Sequence, residues 1–144
     1  MKLVILDHKG LGNVISSLPL LERALEVFGP DNVAVICRPA SLPLLEPLRV
    51  KVVHPVRANH ELLLRVLELR RRGFQRLVAV PPISALTTRL LCAVARMEAV
   101  EPRESPVLHA GVPIGRAFQQ LADVLGLGAL AAPKLPRDWP GTPL

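Results

Sequence analysis

Two kinds of hydrophobic pattern alternate along this chain. Leu3-Val4-Ile5-Leu6, Val33-Ala34-Val35-Ile36-Cys37, Val50 to His54, Leu77 to Val80 and Met97 to Val100 are short apolar runs without clean in–out alternation. Runs of that kind predict strands buried on both faces. Between them, apolar residues recur at helical spacing. Positions 14, 15, 18, 21, 24, 25 and 28 predict a first helix, stopped by Gly29-Pro30. Pro19 falls inside that pattern, so the helix either starts late, near Ser17, or is kinked. Pro43 and Pro47 reduce residues 40–48 to a short helix-like piece. Asn59 reads as an N-cap, with Glu61 in the first turn and Leu62, Leu63, Val66, Leu67 and Leu69 on one broad apolar face. Arg70-Arg71-Arg72-Gly73 closes that helix. Ser84 reads as the cap of a helix reaching about Arg96, with Leu86, Leu90, Leu91 and Val94 inward. Pro113 suits the first turn of a last helix, whose apolar positions are Ile114, Phe118, Leu121, Val124 and Leu125 and whose stop is Gly126.

Strands buried on both faces, alternating with helices, predict an α/β fold: a Rossmann-like parallel sheet with helices on both sides. Residues 1–128 form the predicted domain. Residues 129–144 form a Pro-rich tail or interdomain linker that carries Trp139. No repeat of solenoid period is present.

Composition narrows the function classes. The 144 residues are 50% hydrophobic and 21% charged, which suits one globular domain with a full core. No stretch approaches a membrane span. Lys2 is followed by only four apolar residues before Asp7, which is not a signal peptide, so a cytoplasmic protein is expected. Cys37 and Cys92 lie in apolar runs and predict buried, reduced thiols. His54, His60 and His109 share no ligand spacing, so no metal site is expected. Lys and Arg total 18 against 12 Asp and Glu, a net charge of +6 that admits anionic partners. Three Phe, one Trp and no Tyr leave little for base stacking, which argues against nucleic acid as the partner.

The densest chemistry is the segment Asp7-His8-Lys9-Gly10-Leu11-Gly12-Asn13, immediately after the first strand. In a doubly wound sheet the ligand crevice opens at that place. Gly10 and Gly12 permit tight turns and close backbone approach, Lys9 can meet an anion, and Asp7 and His8 can exchange protons. The dinucleotide fingerprint is incomplete. Ile15 stands where its third Gly belongs, and the second strand ends in Arg38 instead of an acid. The Walker pattern is absent, and no cofactor is expected. Read most plainly, the two glycines only turn a strand into a helix.

The strand Leu3 to Asp7, then Gly10-Leu11-Gly12-Asn13-Val14, then Ser17-Leu18-Pro19-Leu20-Leu21 and Arg23-Ala24-Leu25, resembles the start of glycosyltransferase family 9, the bacterial ADP-heptose:lipopolysaccharide heptosyltransferases. Arg38-Pro39 with Leu44-Leu45, the stretch Leu67 to Val80, and Gly126 after Phe118 to Leu125 fit more loosely, so the resemblance spans about residues 3–135. It implies the N-terminal, acceptor-binding half of a GT-B enzyme. It further implies an anionic sugar or lipopolysaccharide-core acceptor, a donor-binding partner domain, and a place in the cytoplasm peripheral to the inner membrane. Substrate contacts would come from Lys9, Gly10, Leu11, Gly12, Asn13 and Arg38. The family's proposed base is an Asp where this chain has Asn13, a carboxamide that cannot accept a proton at neutral pH, which leaves Asp7 or His8 as substitutes. The chain stops at Leu144, about where the second half would begin, so transfer by this chain alone is not expected. A non-catalytic interaction module or relic is the alternative, and a nucleotide-binding Rossmann protein a lesser one. An exposed cleft face would favour a homodimer.

Overall fold

The computed structural model describes residues 2–7, 11–79, 85–100 and 114–130; the side chains of residues 11–13, 59, 85 and 114–117 are outside that description. Among these residues five strands form one parallel sheet: β1 (Leu3–Asp7), β2 (Val33–Cys37), β3 (Val52–Pro55), β4 (Arg76–Ala79) and β5 (Glu98–Val100), in the order β3-β2-β1-β4-β5. Between them run α1 (Leu11–Phe28), the single turn α2 (Leu42–Leu45), α3 (Asn59–Arg71) and α4 (Ala85–Ala95); α5 (Ile114–Leu125) follows β5. This is the Rossmann-like arrangement that the alternating pattern predicts.

Side-chain parity divides the core in two. Leu3 and Ile5 of β1 point to the face covered by α1 and α5, where they meet Val14, Leu21 and Leu121. Val4 and Leu6 point to the opposite face, where they meet Val66 and Leu69 of α3 and Cys92 of α4. All five residues of β1 and of β2 are buried, because helices cover both faces.

Several boundaries differ from the sequence reading. Helix α1 does not start late, near Ser17; it runs for 18 residues from Leu11. Pro19 therefore sits in the interior, where its ring nitrogen gives no bond to the Ile15 carbonyl. The N-cap of α3 is Ala58, in extended conformation, and Asn59 is the first helical residue. Residues 39–48 form a 3-10 turn, the α2 turn and a second 3-10 turn, as their prolines dictate. Gly29, Gly73 and Gly126 have φ of +90°, +97° and +75°, as expected of glycines that end α1, α3 and α5. Ser84, Pro113, His109 and Trp139 are outside the described residues.

The largest correction concerns α4. Leu86, Leu90 and Val94, expected inward, are 67%, 58% and 59% exposed, while Thr88, Cys92 and Ala95 are buried. The helix lays its small residues on the sheet and turns its large ones out. Leu91 is half-buried and packs against the same core as Cys92.

Candidate functional site

Strands β1 and β4 are neighbours at the centre of the sheet, yet their connections leave in opposite directions, to β2 on one side and to β5 on the other. That divergence is the topological switch point, and ligand crevices of such sheets open there, beyond the carboxyl ends of the strands. The C-terminal residues of β1 and β2, Asp7 and Cys37, are paired in register. Helix α1 begins four residues after β1 ends, so its N-terminal turn lies at the same edge.

Asp7 is 3% exposed. Its parity sends the side chain toward α1, where the Ser17 hydroxyl donates to Asp7 Oδ2. Ser17 Oγ is also 2.8 Å from the Val14 carbonyl oxygen. A hydroxyl has one proton and these are two acceptors. Both contacts are satisfied together when the carboxyl is protonated: Asp7 then donates to Ser17, and Ser17 donates to Val14. Among the described residues Oδ1 has no hydrogen-bond partner, which further favours the neutral form in so dry a place. Burial pushes the carboxyl up to about 6, against the opposing effect of the Ser17 hydrogen bond. Burial and then the Asp7 charge push the Cys37 thiol up to about 12, so it stays a neutral thiol. Cys92 is also a buried thiol outside any disulfide.

The remaining sequence candidates are distributed as follows. Arg38 directly follows Cys37 at the same edge, one strand over from Asp7, and is exposed. Leu11, Gly12 and Asn13 are the first three residues of α1 and not part of a loop. His8, Lys9 and Gly10 are outside the described residues. The structure thus brings Asp7, the start of α1 and Arg38 to one edge of the sheet. Ser17, which meets Asp7, is not among the site candidates that the sequence offers. Its signal was a polar residue on the buried stripe of α1, three positions after Val14 and four before Leu21, both of which are buried.

Two other features involve neither Asp7 nor Arg38. A shallow groove of about 420 Å³ runs between α2 and β3, lined by Leu42, Leu45, Glu46, Arg49 and Val53 among others, and includes neither Asp7 nor Arg38. His54, on β3, is held below its ordinary value by burial, against the pull of the Glu68 carboxylate. Among the described residues, no group of three or more His, Cys, Asp or Glu is arranged to hold a metal ion. No protein-family model, characterised protein or solved structure matches this chain.

Proposed function

We propose that this chain is the acceptor-binding, Rossmann-like half of a GT-B glycosyltransferase similar to the lipopolysaccharide heptosyltransferases. The observation that carries the reading is the conjunction at the switch point: Gly12 and Asn13 lie in the first turn of α1, within six residues of the end of β1, at the carboxyl edge of the sheet where Arg38 follows β2. An acceptor hydroxyl held there attacks the anomeric carbon of a nucleotide-activated sugar. The new C–O bond forms as the bond to the phosphate oxygen breaks, and the nucleotide leaves with the electron pair. The donor is held by the family's second half, while Arg38 and Lys9 meet the negative charge of the acceptor.

In this reading Asp7 is a positioning residue. Its carboxyl is shut off from solvent and braces the first turns of α1 through Ser17 and the Val14 carbonyl. Asn13 can orient the acceptor by hydrogen bonds. His8 is then the remaining candidate for taking the acceptor's proton.

The test is a titration of isotopically labelled chain with a phosphorylated inner-core oligosaccharide, followed by amide shifts. Shifts concentrated at residues 7–13 and at Arg38, and lost in Arg38→Ala, are the expected result. Shifts produced there by NAD or ATP and not by the oligosaccharide would overturn it in favour of a nucleotide-binding protein.

The second reading, a non-catalytic relic of the same fold, is favoured by Asn13 in the motif together with the inaccessible Asp7. It predicts that Asn13→Asp brings no transfer activity even when a competent donor half is supplied.

A further inference from the structure

The two helical layers differ in both charge and finish. On the α1–α5 side, the helices carry Glu22, Glu26 and Asp123 against Arg23 and Arg116. On the α3–α4 side, residues 59–72 and 85–96 carry six arginines and two glutamates, and no acid occurs anywhere from 85 to 97. That cationic layer also bears the most exposed large apolar residues among those described: Leu64 at 64%, and Leu86, Leu90 and Val94 on α4. The three on α4 follow one another at four-residue intervals, a stripe about 12 Å long. Both α3 and α4 connect parallel strands, so both end at the amino edge of the sheet, and they pack against each other. Exposed Arg71, Arg72 and Arg96 therefore gather at the lower end of the leucine stripe.

We infer that the α3–α4 face docks on an anionic lipid surface, with Leu86, Leu90 and Val94 entering the headgroup boundary and Arg71, Arg72 and Arg96 meeting lipid phosphates. Charge complementarity selects this occupant. An apolar helix face edged by arginines has the two elements that an interfacial helix combines, apolar burial and attraction to anionic headgroups. A second copy fits worse. A two-fold pairing sets the same patch against itself and brings the arginine clusters of the two copies into one interface. The apolar surface offered is also small, roughly 400 Å² for four side chains about 60% exposed, against ~800 Å² per partner in a standard interface. A nucleic acid would satisfy the arginines and leave the leucines in water. This surface lies on the sheet's flank, not at its carboxyl edge, so the inference stands apart from the proposed acceptor site.

The test is co-sedimentation of the full chain with phosphatidylcholine vesicles, with and without phosphatidylglycerol. Binding is expected only with the anionic lipid. The double variant Leu86→Ser/Leu90→Ser and the double variant Arg71→Glu/Arg72→Glu should each lower the partition coefficient about tenfold or more, with unchanged circular dichroism. These residues are exposed, so the variants retain the core. Three results would overturn the inference: no binding of the wild type, full binding by the serine variant, or a wild-type dimer that the serine variant converts to monomer without any vesicle binding. Tighter binding to RNA than to vesicles would overturn it as well.

Discussion

Asp7→Asn keeps the shape of the buried group at the end of β1 and removes its charge. The asparagine amide can donate to Ser17 Oγ, which frees the Ser17 proton for the Val14 carbonyl, the same arrangement that a protonated Asp7 makes. The carboxyl lies at about 6 in the fold, against 3.8 for the ordinary group. Between those values the folded chain binds more protons than the unfolded chain, so stability falls as pH rises and the loss is complete above about pH 7. The loss amounts to about 3 kcal/mol, a large part of a typical domain's stability. The asparagine variant escapes it. Urea denaturation of both proteins from about pH 4 to pH 8 should show nearly equal stability at the acid end. The variant should then gain an advantage that grows to about 3 kcal/mol at neutral pH and above. Other groups that titrate in this window, His54 among them, are common to both proteins and cancel in the difference. A difference that does not change with pH, or a variant less stable than the wild type at pH 8, would refute the reasoning: Asp7 would then be a paired and satisfied carboxylate.

Three further outcomes follow from the same structure. Ser17→Ala removes the hydrogen bond that opposes burial at Asp7, so denaturation should show a loss of about 1–3 kcal/mol, larger above pH 7 than at pH 5. Cys37 should resist a thiol reagent at neutral pH until the chain unfolds, because its thiol is buried and pushed up to about 12; modification as fast as that of a free thiol would contradict this. Phe74→Ala should cost about 3–5 kcal/mol in chemical denaturation, since the ring is 1% exposed and fills the core beneath α3 and β4.

The sheet was legible because a strand buried on both faces has only one kind of sequence, a short run of Val, Ile, Leu, Ala and Cys, and β1 and β2 have it. Helix α4 was misread for the opposite reason. Its sequence Ala-Leu-Thr-Thr-Arg-Leu-Leu-Cys-Ala-Val-Ala is apolar nearly all round, so periodicity offers two faces. Hydrophobicity favours Leu86, Leu90 and Val94, whereas packing selects Thr88, Cys92 and Ala95, whose small side chains let the helix approach the sheet. The start of α1 was hidden by Gly10 and Gly12, which suggest a loop; Gly12 is in fact helical. At the site, Asp7 stood out as an acid closing an apolar strand. Its partner did not, because Ser17 is ten residues away in sequence and only the register of α1 against β1 joins them.

The strand order also implies a direction of assembly. β1, β2 and β3 are contiguous both in the chain and in the sheet, so each can add to its predecessor as it leaves the ribosome. β4 breaks that progression: α3 carries the chain back across β2 to the free edge of β1, a contact about 70 residues distant in sequence. Until β4 arrives, that edge of β1 is an open template, able to pair with the wrong strand of another nascent chain. The waiting time is set by the synthesis of α3, and a pause in translation there would lengthen the interval in which the half-built sheet is open to aggregation.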